Sequence, residues 1–75
     1  MNQKELKNKL ELLLRGREIY TAAELVKMGL YGGKSSVWNL VLKGHLECLE
    51  VSERRRVITK ESIIKHILNL NEDLQ

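Results

Sequence analysis

The chain has 75 residues, 43% of them hydrophobic and 31% charged, with a formal net charge of +3. That length allows one small domain close to the size at which a single core barely supports independent folding. One cysteine excludes an internal disulfide and fits a reducing compartment, so a cytoplasmic protein is expected. No apolar run approaches membrane-spanning length, and the charged N-terminus lacks the apolar core of a signal peptide. With no Pro, no Phe, one Trp and two Tyr, the composition argues against an aromatic-rich sugar or single-strand binder. The small positive charge permits a polyanionic partner without requiring one.

In the opening segment, Leu6, Leu10, Leu13 and Leu14 recur at helical spacing, and Gly16 stands as a stop. The pattern predicts an amphipathic helix over 1–16, either packed on the rest of the chain or paired with a second copy. Thr21 and Glu24 then stand in capping-box positions, with Tyr20 and Leu25 as a hydrophobic staple and Gly29 as the stop of a short helix. The LYGG that follows reads as a turn whose glycines can take positive φ. KSSVWNLVLKG predicts a second short helix with Val37, Leu40 and Val41 inward and Gly44 ending it.

After Gly44 the period changes. Leu46–Val51 and Arg55–Ile58 predict two short strands around a tip of Ser52, Glu53 and Arg54. Leu46 and Cys48 would share one face, and Leu49 and Val51 the other. Thr59 caps a last helix, with Ile58 and Ile63 as its staple pair and an apolar stripe of Ile63, Ile64, Ile67, Leu68 and Leu70. The expected fold is mostly α with a small β-hairpin: a helix–turn–helix and a two-stranded wing over 17–70, flanked by an N-terminal and a C-terminal helix. Residues 71–75 are left as a short tail.

Few constellations in the sequence carry catalytic or metal chemistry. His45 and Cys48 have an H-x-x-C spacing, but a zinc site needs about four ligands, and only His66 and scattered carboxylates remain. His45 and Cys48 therefore read as structural, with Cys48 a small core hydrophobe and His66 at a helix edge. No nucleophile–base–acid set is evident, and GLYGG lacks the Gly-Lys-Ser/Thr framework of a phosphate loop. An enzyme is not expected, nor a metal or cofactor. The run Arg54-Arg55-Arg56 is the informative feature, because a basic hairpin beside a short helix suits a duplex: the helix fits the major groove and the hairpin the backbone or minor groove. Strand alternation would send Arg54 and Arg56 to phosphates, and Arg55 to a cross-hairpin pair with Glu47, Glu50 or Glu53. The same three glutamates, with the apolar Leu42 and the leucine-striped first helix, leave open a second reading: a winged-helix module that binds protein instead of DNA.

Five pieces in order carry a more specific signal. They are Tyr20-Thr21-Ala22-Ala23-Glu24-Leu25, Ser36-Val37-Trp38, Gly44-His45-Leu46, Arg54-Arg55-Arg56-Val57, and Thr59-Lys60-Glu61-Ser62-Ile63. Over residues 19–70 the chain resembles the small winged helix-turn-helix domain of the excisionase and MerR-like family. The resemblance implies sequence-directed binding of double-stranded DNA, in members that steer site-specific recombination in phages and mobile elements or regulate transcription. A recombinase or a second copy of the chain would be a further partner. Carried onto this sequence, it assigns Lys34, Ser35, Ser36, Trp38, Asn39 and Lys43 to the DNA-facing side of the second helix, and Arg54, Arg55 and Arg56 to the wing. Trp38 stays open between core packing and DNA contact.

Overall fold

The computed structural model describes residues 2–74, with side chains through Asn71. The chain is mostly helical with one small antiparallel sheet, in the order α1 (Gln3–Leu13), β1 (Ile19–Tyr20), α2 (Ala22–Lys27), α3 (Lys34–Leu42), β2 (Cys48–Ser52), β3 (Arg55–Thr59) and α4 (Lys60–Leu74).

Helix α1 starts where the Asn2 side chain accepts the Glu5 N–H at 2.8 Å, satisfying one of the donors that every helix start leaves free. Its buried line is narrower than the leucine pattern suggests. Leu10 and Leu14 are buried and Leu6 is half-buried, whereas Leu13 is 51% exposed. The reason is geometric. A helix packed mainly against one neighbour buries a single i, i+4 row, and the main partner of α1 is α4, with Gln3 donating to the Leu68 carbonyl at 3.0 Å. Within the chain, α1 packs on the rest of the domain, the first of the two arrangements the sequence left open.

The segment after Gly16 forms a strand that the sequence pattern missed. Ile19 and Tyr20 pair with Thr59 and Ile58, so the sheet has three strands in the order β1-β3-β2. The Tyr20 hydroxyl donates to the Leu14 carbonyl at 2.6 Å and fastens the end of α1 to the sheet. At α2 the capping box is complete: Thr21 Oγ1 accepts from the Glu24 N–H at 3.2 Å, and Glu24 Oε1 from the Thr21 N–H at 3.1 Å. Glu24 also forms a two-pronged pair with Arg17, whose guanidinium lies 4.8 Å from the centre of the Tyr20 ring. That pair, with the Thr21 N–H, holds the Glu24 carboxyl down at about 2.

Helices α2 and α3 end alike. At each, a glycine with φ near +80° follows the cap, and the next residue's N–H reaches back five residues, from Leu30 to Leu25 (3.2 Å) and from His45 to Leu40 (2.9 Å). Gly29 and Gly44 therefore do as the sequence suggests. Gly32 and Gly33 do not: neither has positive φ, and Gly33 is the extended N-cap of α3, at φ −172°.

The hairpin is shifted from its expected bounds. Leu46 is buried before β2 begins, and Ser52 already pairs with Arg55, so the turn is the dipeptide Glu53-Arg54. The register slips between Glu50 and Ser52, which makes Val51 a bulge. Both Val57 and Ile58 are buried, Ile58 within the main core and Val57 outside it. Helix α4 is capped by Thr59, which accepts the Ser62 N–H at 3.3 Å. Ile63 and Ile64 are buried, but Leu70 is 48% exposed, and the helix runs on to Leu74 where a tail was expected after residue 70.

The core joins every helix to the sheet: Leu10 and Leu14 of the first segment meet Leu25, Val37, Leu46, Ile58 and Ile63, each 5% exposed or less. The N-terminal helix is thus part of the same packed body. Among the described residues, no helix is long and apolar enough to cross a membrane.

Candidate nucleic-acid interface

Val37 fixes the orientation of α3. It is fully buried, Leu40 and Val41 are half-buried beside it, and the opposite side of the helix faces out. Lys34, Ser35, Ser36, Asn39 and Lys43 are all exposed, and Trp38 is half-buried against the core. Gly33, at the N-cap of α3, has no side chain with which to cap the helix start. The first-turn N–H groups of α3 are accordingly left for another acceptor.

A groove of about 370 Å³ runs between the start of α2, the start of α3 and the wing tip. Lys34 and Trp38 line it from α3, Arg54, Arg55 and Arg56 from the wing, and Thr21, Ala22 and Ala23 from the start of α2. Residues some twenty positions apart in sequence, Lys34 and the three arginines, thereby meet around one concavity. Glu53, at the turn, lines the same groove and contributes the one opposing charge. Of the nine residues singled out from the sequence, the groove gathers Lys34, Trp38, Arg54, Arg55 and Arg56. Ser35, Ser36 and Asn39 lie outside it. Lys43 lines a different groove, of about 1010 Å³, between the end of α3 and α4.

The three arginines are not equivalent, and the division differs from the alternation argument. Arg56, not Arg55, makes the cross-hairpin pair, its Nη2 lying 3.5 Å from Glu50 Oε1, with both side chains exposed. Register explains it: Glu50 stands directly opposite Arg56 in the β2–β3 ladder. The bulge at Val51 also loosens the strict in–out order near the tip, so all three arginines border the groove. Arg54 and Arg55 make no salt bridge among the described residues. The outward face of α3 also carries Leu42, at 84% exposure, one helical turn beyond Asn39.

Elsewhere, Cys48 is half-buried and unbonded, and His45 is exposed. Among the described residues no three of His, Cys, Asp and Glu converge as metal ligands. His66 was expected at a helix edge but is only 8% exposed. Its Nδ1 lies 3.0 Å from the Tyr31 hydroxyl, and the two rings stack with centroids 5.9 Å apart. Burial lowers the His66 proton affinity, with the nearby His45 adding to the effect, and burial pushes the Tyr31 hydroxyl up to about 12. Neither residue was marked as an interacting pair in the sequence. Their separation of 35 positions hides the contact, and only the i, i+3 spacing of Ile63 and His66 hinted that the imidazole points inward.

Compared with protein-family models, curated proteins and solved structures, the chain matches none of them.

Proposed function

We propose that this protein binds double-stranded DNA as a winged helix-turn-helix module, with α3 in the major groove and the β2–β3 wing on the backbone or the adjacent minor groove. The observation that carries the reading is the groove uniting Lys34 and Trp38 of α3 with Arg54, Arg55 and Arg56 of the wing. A phosphate seated there would meet guanidinium groups from the wing, the Lys34 ammonium, and the uncapped first-turn N–H groups of α3. With the phosphate so placed, Asn39 on the exposed face is free to pair bidentately with adenine, and Ser35 and Ser36 to reach base edges or backbone near the helix start. Lys43, near the other end of α3, is left for a guanine edge. The backbone contacts position the helix, and the α3 side chains read the sequence. The resemblance of residues 19–70 extends the proposal to an excisionase-type recombination factor or a small transcription regulator, and DNA bending on a fragment with several sites separates the two.

Four basic contacts, from Lys34 and the three arginines, set the expected salt dependence. At about 0.9 per neutralised phosphate, the slope of log K against log salt is about −3.6, and a rise from about 50 to 200 mM salt weakens binding about 150-fold. Titration of duplex fragments at those two concentrations tests the proposal. A second reading has its own support: Leu42, at 84% exposure on the same helix face, is costly to leave in water and suits a protein partner. In that case the duplex titration shows no salt-dependent affinity.

A further inference from the structure

His66 touches the chain just before and just after the candidate recognition helix. Tyr31 lies three residues ahead of Lys34, the first residue of α3, and His45 lies three residues beyond Leu42, the last. The Tyr31 hydroxyl is 3.0 Å from His66 Nδ1, and the rings stack at an interplanar angle of 20°. The His45 ring approaches from the other end of α3, its centroid 5.9 Å from that of His66 and tilted by 32°. Among the described residues His66 is the only buried side chain able to carry a positive charge.

We propose that His66 is a proton-sensitive latch on α3: neutral, it anchors both ends of the helix at the pitch the groove requires, and protonated, it releases them and weakens DNA binding. The inference rests on the DNA-binding reading for its functional consequence, but not for its structural one.

The surroundings of His66 offer its cation little. From the α2–α3 turn it meets a phenol, and from the α3–β2 connection a second imidazole. The adjoining groove holds Lys43 and Glu47 from that connection and Glu61 and Lys65 from α4, so its lysines and glutamates cancel. No salt bridge reaches His66 among the described residues. Burial first, and His45 second, therefore lower its proton affinity from the ordinary value of 6.5. The sign follows. The latched form binds the proton less well than a form with His66 in water, so its advantage is complete above about 6.5 and is lost as pH falls through the depressed folded value. The effect on DNA is opposite to ordinary electrostatics, because protonating histidines near a polyanion should strengthen binding.

The test follows the His66 ring and the α3 backbone amides of the full chain by NMR from about pH 7.5 to 5.5, where histidine titrates. Duplex affinity is measured at constant salt over the same range. The latch predicts that α3 amides shift with the His66 titration, that affinity falls on acidification, and that His66→Gln, which keeps a neutral hydrogen-bonding side chain for Tyr31, removes the pH dependence. Stationary α3 amides while the His66 ring titrates overturn the latch, and this wild-type measurement decides even if the variant does not fold. Persistence of the pH dependence in a folded His66→Gln protein overturns it as well. Moving amides with no duplex binding at any pH support the latch and overturn the DNA reading alone.

Discussion

Removing the wing arginines one at a time separates a phosphate clamp from a solvated loop. Arg54 and Arg55 border the groove with no salt bridge among the described residues, whereas Arg56 lies 3.5 Å from Glu50. A phosphate contact by Arg54 or Arg55 releases its counterions in full, so Arg54→Ala and Arg55→Ala each reduce the salt slope by about 0.9. Between about 50 and 200 mM salt, that difference narrows the affinity ratio by a factor of about 3.5 per arginine. Arg56 divides its charge between Glu50 and the DNA, so Arg56→Ala removes less than a full contact, and Glu50→Gln frees Arg56 and steepens the slope. Exposed pairs such as Arg56–Glu50 are weak, so none of these changes should lower the melting temperature appreciably. Fluorescence anisotropy of one labelled duplex across a salt series reads all five proteins, wild type included. Discrimination between sites should be unchanged, since phosphate contacts carry no base information. Five equal slopes would refute the clamp.

Asn39 is exposed, so Asn39→Ala should leave the fold intact and flatten discrimination between cognate and mutated sites by about 1–3 kcal/mol, measured by competition binding. Ile63 is fully buried, and Ile63→Ala should cost about 2–5 kcal/mol in urea unfolding. With the Glu24 carboxyl depressed from 4.5 to about 2 by Arg17 and Thr21, its contribution to stability is present above about 4.5 and is lost as pH falls through about 2. Glu24→Gln should flatten that limb of an acid-unfolding curve followed by circular dichroism.

The parts legible from sequence are those fixed by short-range chemistry. The capping box Thr21–Glu24, the Thr59 cap and the glycine stops at Gly29 and Gly44 each need only residues within one helical turn, and the chain forms all of them. Gly32 and Gly33 show the limit of that reasoning: glycine permits positive φ but does not demand it. Strand β1 was hidden because two residues cannot display a period of two, and its pairing partner lies forty positions away. The choice between Arg55 and Arg56 as partner of Glu50 turned on a one-residue bulge at Val51, and a slip of one residue exchanges the faces of a strand. In the candidate interface, the residue types were visible in the sequence, but the convergence of Lys34 and Trp38 with the wing was a matter of tertiary placement.

Leu10 is 5% exposed and Leu14 fully buried, both within the core cluster, and the Leu14 carbonyl accepts the Tyr20 hydroxyl at 2.6 Å. Burying two leucines of this kind is worth about 2–5 kcal/mol each, judged by truncation to alanine, against a total stability of about 5–15 kcal/mol that a chain this small should approach from the lower end. Deleting residues 1–15 also leaves the Tyr20 hydroxyl without its acceptor and uncovers the α4 residues that α1 packs against. The truncated protein should therefore be largely unfolded by circular dichroism, and the full-length protein should sediment as a monomer because its leucine row is already covered. Leu14→Ala gives the same answer in milder form, as a lowered urea midpoint with no change in sedimentation. A truncated protein as stable as the full chain would mean that α1 adds nothing to the core. A full-length dimer that Leu14→Ala dissociates would mean that this face meets a second copy in solution.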